Sequence, residues 1–154
     1  MTTEQPPLKK LKPSILYCCP GNVLDITSGA ALSQRTLLAS LAARGFRAVA
    51  LQATIFDSPQ GGEHILKAGE VHKEKPMLRT VVQGVEHIII RTAASRRQLM
   101  TCAEQENYLN RFRLELSQRR PDMIFIWGGM LLEMTMMREA REANIPVIFY
   151  LVNG

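Results

Sequence analysis

The sequence predicts an α/β chain built on one open, mainly parallel sheet with helices on both faces. Short apolar runs alternate with stretches of helical periodicity. The runs are apolar at consecutive positions rather than at every second one, and glycine, proline or asparagine punctuates the joins. Strands that are apolar on both faces belong in a sheet covered on both sides, and strand–helix alternation makes neighbouring strands parallel. The chain has 154 residues, 46% hydrophobic and 21% charged. That is ordinary globular composition, and the length suits one domain and excludes a two-domain enzyme.

Residues 1–13, with Pro6, Pro7, Pro13 and the Lys9–Lys10–Lys12 cluster, read as a flexible tail ahead of a domain spanning 14–154. Ile15 to Cys19 is an apolar run stopped by Pro20-Gly21, which reads as a buried strand. After the loop Asn22 to Gly29, Ala30 to Arg44 carries Ala30, Ala31, Leu37, Leu38, Leu41 and Ala42 on one helical stripe. Ser33, Gln34, Arg35, Ser40 and Arg44 take the other face. Gly45 suits the left-handed residue past a helix end, and Phe46 to Ala53 gives a second strand, completing a right-handed βαβ unit.

The middle is weaker in pattern. Asp57 to Met77, with Pro59, Gly61-Gly62 and Pro76, reads as a mobile excursion, and Leu78 to Gln83 and Val85 to Arg91 flank Gly84 as a hairpin of open register. Ser95-x-x-Gln98 matches a capping box before a helix carrying Leu99, Ala103, Leu109, Phe112 and Leu116, with Glu106 interrupting the stripe. Met123 to Trp127 is a buried strand ending at Gly128-Gly129. A helix from Met130 to Ala143 follows, then Asn144 at its end and a last strand from Val147 to Leu151. The sum is a Rossmann-like domain.

Charge and cysteine usage narrow the function classes. Nineteen basic and fourteen acidic side chains leave a net charge of +5, which favours phosphates, nucleotides or acidic headgroups as partners. Basic residues are not interleaved with aromatics, so nucleic acid is not the expected partner. The longest apolar stretch, Met123 to Leu132, falls short of the roughly 18–20 residues of a membrane span. Three cysteines without C-x-x-C spacing, and no leader-like start, fit a reduced, cytoplasmic setting.

In such a sheet, ligands bind at the carboxyl ends of the strands. The first candidate loop ends in Thr27-Ser28-Gly29-Ala30, where free helix N–H groups suit a phosphate and a glycine admits it closely; equally, Thr27 or Ser28 serves only as a helix cap. The second is Trp127-Gly128-Gly129, where the indole suits a ring-shaped ligand or plain packing. Neither G-x-G-x-x-G nor a P-loop occurs, which counts against nicotinamide dehydrogenases and P-loop NTPases. Glu63, His64, Glu70, His72 and Glu74 match no metal-ligand spacing, His87 reads as half-buried, and Arg91, Arg96 and Arg97 read as partners of carboxylates before phosphate. Met130, Met134, Met136 and Met137 read as adaptable packing.

Several of these runs occur in a familiar order. Ile15 to Pro20, Ser28-Gly29-Ala30-Ala31 and Leu37-Leu38-x-x-Leu41-Ala42-x-Arg44-Gly45-Phe46 come first. Gly84-Val85, Pro121-Asp122-Met123-Ile124, Gly128-Gly129 and Ile145-Pro146-Val147-Ile148 follow. On these residues the chain resembles the N-terminal domain of family 4-like glycosyltransferases, over roughly residues 14–154. The resemblance implies one half of a two-domain GT-B enzyme: an acceptor-side domain, with the donor-binding domain and its two glutamates eight positions apart lying outside this chain. No such glutamate pair occurs here. It further implies a nucleotide-sugar as substrate, transfer with retention, and no metal or other cofactor. Ser28, Gly29 and Ala30 would form the donor phosphate or sugar loop, and Trp127, Gly128, Gly129 and Asn153 the acceptor cleft. The partners expected are the two substrates, the second domain, a further copy of the chain, and an anionic membrane surface touched from the cytoplasmic side. The alternative is a non-catalytic Rossmann-like module that binds a ligand or a protein. The family often has two glycines where this chain has Gly29-Ala30, and a histidine near Phe125-Ile126-Trp127 that this chain lacks.

Overall fold

A computed structural model describes residues 12–70, 75–93, 100–128 and 132–150. Along the chain run β1 (Ser14–Cys18), α1 (Gly29–Ala43), β2 (Arg47–Ala53), a 3-10 turn (Pro59–Gly62), α2 (Glu63–Glu70), β3 (Met77–Val82), β4 (Val85–Ile90), α3 (Cys102–Arg119), β5 (Met123–Trp127), α4 (Glu133–Glu142) and β6 (Val147–Tyr150). They form a six-stranded sheet of order β3-β4-β2-β1-β5-β6. Every pairing is parallel except that of β3 with β4. The chain steps outward from β1 through β2 to β4, then crosses back to place β5 and β6 on the other side. The strand order therefore reverses between β1 and β5, which is where such sheets open a crevice.

Local chemistry explains the boundaries. Ser28 sits extended and its hydroxyl accepts the Ala31 N–H, starting α1. Thr101 and Glu104 form a reciprocal capping box at the start of α3, and Arg120 closes that helix in the left-handed region at φ 44°. Asn144, at φ 56°, turns the chain out of α4 toward Pro146. The hairpin register left open by the sequence is fixed by a two-residue turn: Gln83 and Gly84 both have positive φ, 50° and 76°, which suits the tight turn that matches strand twist. Val82 then faces Val85 and Met77 faces Ile90.

The two faces of the sheet are not equally covered. On one face α3 and α4 close over Leu16, Leu51, Ile88, Ile124 and Ile126, with Tyr108, Phe112, Met136 and Ala140 fully buried against them. Arg119 reaches Glu86 on this face and Arg113 joins α3 to Glu139 of α4. On the other face α1 lies over β1, β2 and β4, but the ladder Tyr17–Phe125–Tyr150–Trp127 runs out from under it. Ile148 is 45% exposed and Tyr150 50%.

Several expectations need correction. Among the described residues, coverage on both faces holds for the central strands, whereas on the α1 side Phe125 and Trp127 of β5 are half-buried and Ile148 and Tyr150 of β6 are exposed. The excursion Asp57 to Met77 is structured where it is described, as the 3-10 turn and α2, because Ser58 caps the turn and Pro59 fits its first position. On α1 the inward stripe is Ala31, Gln34 and Leu38, spaced three and four apart, while Leu37 is 42% exposed. Gln34 belongs inside because the buried Tyr17 hydroxyl needs an acceptor and bonds its Oε1. The helix after residue 100 starts at Cys102 behind Thr101; the Ser95–Gln98 box lies outside the described residues. His87 is buried, 1% exposed, rather than half-buried. The last helix begins at Glu133, with Met130 also outside the described residues.

Candidate functional site

The loop after β1 is the most elaborately held part of the molecule. Its first residues continue alongside β2: Cys19 N–H donates to the Leu51 carbonyl, Ala53 N–H to Pro20, and Asn22 N–H to Ile55. Asn22 then spends its whole carboxamide on backbone, donating to the Ala53 carbonyl and accepting from Leu24 N–H. Gln52 projects from β2 beneath the loop. Its Oε1 accepts the Val23 N–H at 2.8 Å, so its Nε2 is the donor to His87 Nδ1, also at 2.8 Å. That fixes His87 as the neutral tautomer with its proton on Nε2. Burial lowers the His87 pKa to about 4, with the Arg35 charge adding to the shift.

Asp25 organises the second half of the loop. It is 1% exposed, and its carboxylate accepts from Thr27 N–H, the Thr27 hydroxyl and Asp57 N–H. Burial by itself would raise its pKa. The hydrogen bonds from Asp57, Thr27 and Ser28 outweigh that and hold the carboxyl below its ordinary value, so it is ionised at neutral pH. This fixed anion lies beside the positive end of α1. The 3-10 turn presses on it so closely that a Cβ on Gly61 would run into the Asp25 carboxylate and the Thr27 hydroxyl. Arg35 donates from α1 to the Val23 and Asp25 carbonyls and ties the loop down from the other side.

Between this loop, the first turn of α1 and the end of β2 lies a shallow polar cleft with room for little more than a water molecule, bounded by Asn22, Asp25, Ser28, Ala30, Gln34 and Asp57. Of the residues expected from sequence, Ser28 and Ala30 line it, and Gly29 opens the helix beside them. Gly29 lacks a positive φ, and a Cβ there meets no atom within 4 Å, so the fold does not require glycine at this position. Trp127 and Gly128 lie at the end of β5 and do not border the cleft. The indole stacks on Tyr150 at 4.5 Å, and Gly128 N–H donates to the Tyr150 carbonyl. Gly129 and Asn153 lie outside the described residues, as do His72, Glu74, Arg96 and Arg97. Glu63 pairs with Lys67 on α2, and among the described residues no group of three His, Cys, Asp or Glu side chains comes together to hold a metal.

The residues missed from sequence are Asn22, Asp25, Gln34, Gln52 and Asp57. One signal pointed their way: Gln52 stands inside the otherwise apolar strand run Ala48 to Ala53, where a buried amide needs polar partners. Two other hollows lie away from the βα loops, one between α3 and the start of β1 beside Arg47 and Glu115, the other along α4 and β6 beside Met134 and Arg141. The three cysteines are free, Cys18 and Cys19 buried and Cys102 exposed, and no described helix is long and apolar enough to cross a membrane.

Fold and site together define an α/β protein of Rossmann-like architecture with a small polar cleft at its first strand-to-helix loop. No protein-family model, no curated protein and no solved structure matches the chain.

Proposed function

We propose that this chain is the acceptor-side half of a GT-B glycosyltransferase that moves a sugar from a nucleotide-sugar to an acceptor, in the manner of the family 4-like enzymes it resembles. The observation that supports this best is the cleft at the α1 start, beside the strand-order reversal, with Ser28 and Ala30 at its rim and Gly29 between them in sequence. The rigid loop beneath it suits a site that must hold reactants in register. Metal is not needed in this reading, because helix N-termini and basic side chains of the complete enzyme offset the leaving diphosphate. The uncovered aromatic face of β5 and β6 suits a chain that works against a second domain, and a further copy is another occupant of the same face. Peripheral contact with an anionic membrane from the cytoplasmic side belongs to the same proposal.

The test is transfer by the chain joined to its donor-binding domain, a second unit with paired glutamates eight positions apart. Residues 1–154 alone should transfer nothing, and turnover by them with a UDP- or GDP-sugar overturns the reading. In the joined enzyme Gly29→Val should cut transfer at least about tenfold, or about 1.4 kcal/mol of transition-state stabilisation. Because a side chain at Gly29 meets open space, the melting temperature should barely move. Full activity of the variant would reduce the loop to a helix cap. A non-catalytic protein-binding module is the second reading, favoured by the exposed Tyr150 and Ile148, and absence of any transfer by the joined protein would select it.

A further inference from the structure

We infer that His87 is a proton-operated latch on the loop after β1: when its Nδ1 takes up a proton, the stretch Val23-Leu24 lets go of the sheet while the strands beneath stay paired. The latch does not depend on sugar transfer. The first observation is the fixed direction of the hydrogen bonds that reach the loop. Val23 N–H donates to Gln52 Oε1, and Gln52 Nε2 donates to His87 Nδ1, each at 2.8 Å. An imidazole nitrogen accepts only while it carries no proton. A proton on Nδ1 sets it as a donor against the Gln52 amide donor. Turning the amide over cures that clash and creates the same clash at Val23 N–H. No orientation of Gln52 satisfies both ends once the ring is charged.

The second observation is that both backbone groups of Val23 are held by side chains this proton opposes. Its carbonyl accepts from Arg35 of α1 at 2.8 Å, and Arg35 is the charge that acts on His87. An imidazolium would repel Arg35 from the place where it ties the loop. No carboxylate among the described residues offsets that repulsion. Arg47 of β2, Arg79 of β3 and Arg119 of α3 all gather on Glu86, which points to the opposite face of the sheet from its neighbour His87. Across from the ring β2 and β3 set only the neutral Ala50, Gln52 and Thr80.

Opening lets water reach the ring and returns its pKa from about 4 toward 6.5, so opening takes up a proton and falling pH favours it. The release is confined by what lies on either side. Asn22 stays bonded to the Ala53 carbonyl, and Asp25 stays bonded to Asp57 N–H. Both border the cleft at the start of α1, so acid reshapes that cleft without dismantling the sheet.

The test is an NMR titration of residues 1–154 from neutral to acid pH, following the His87 ring, the Gln52 side-chain amide and Val23 N–H. All should move with one midpoint at about 4. Val23 N–H should lose its hydrogen-exchange protection there, while the amides of β1 and β5 keep theirs. His87→Gln should abolish the transition at Val23. Gln52→Glu places an acceptor at both ends, so Val23 should stay bonded and the His87 midpoint should rise by at least about one pH unit. A Val23 amide that ignores the His87 titration, the same transition in His87→Gln, or an unmoved midpoint in Gln52→Glu would each overturn the inference. So would a sheet that melts as a whole at the His87 midpoint.

Discussion

The two sides of the strand-order reversal are built to different standards. To one side, β1, β2 and β4 are covered above and below. Their polar groups are matched across elements, as in the chain from Val23 through Gln52 to His87. To the other, among the described residues β5 and β6 are covered only by α3 and α4, and half of β6 meets solvent with its burial alternating along the strand. A parallel sheet whose edge alternates in this way is finished on one face alone. The lesson is that apolar sequence marks a surface to be covered, and does not say by what.

The sharpest way to break this contrast is to make one substitution on both sides. Ile88→Ala, at a fully buried position on β4, should cost about 2–5 kcal/mol, whereas Ile148→Ala, on β6 and 45% exposed, should cost less than about 1 kcal/mol by chemical denaturation. Equal losses would mean that the open face is covered in solution. Acid should act on the covered side. The His87 pKa is lowered from 6.5 to about 4, so the unfolded chain binds the extra proton first, and stability should fall as the pH drops from about 6.5 to about 4. The full effect is about 3 kcal/mol, it is present above the unfolded value, and His87→Gln should flatten that part of the curve.

Smaller effects probe the loop. Gly61→Ala drives a Cβ into Asp25 and should cost about 1–3 kcal/mol, with the loop amides the first to lose hydrogen-exchange protection. Gln34→Leu keeps the packing volume but removes the acceptor of the buried Tyr17 hydroxyl bond, for about 1–2 kcal/mol by the same denaturation measurement. Smallest of all, Ile148→Lys should change monomer stability by no more than about 0.5 kcal/mol while reducing self-association in sedimentation. A dimer that survives it does not use this face.

Much of this fold is legible because its signals are local. Ser28 before an apolar stripe, Gly84 between two strand-like runs, and Asn144 ahead of Ile145-Pro146 each act through backbone geometry within a few residues. The candidate site was only half legible. Ser28 and Ala30 could be placed because a helix start is a local event. Asp25 and Asp57 could not, since the Asp25 carboxylate meets the Asp57 backbone N–H across thirty-two residues of sequence. Gly61-Gly62 misled for a related reason. Glycines in a polar stretch suggest freedom, whereas here the missing Cβ lets one segment press against another. Gln34 was assigned to solvent by type, and only the Tyr17 hydroxyl, seventeen residues earlier, pulls it inward.

The clasp at the foot of β1 bears on how the chain comes together in time. Ser14 N–H donates to the Asp122 carboxylate at 2.7 Å and Asp122 N–H returns to the Ser14 carbonyl at 3.0 Å, across 108 residues of sequence. β1 is thus made about a hundred residues ahead of β5, one of its two neighbours in the sheet. A growing chain can close β1 on β2 early, but one side of β1 stays an unsatisfied strand edge until β5 has emerged. Contacts this distant slow folding through the entropy of closing the intervening loop. At a synthesis rate of roughly 5–20 residues per second, that edge stands open for several seconds in every molecule made. The centre of the finished sheet is therefore its most exposed edge during birth.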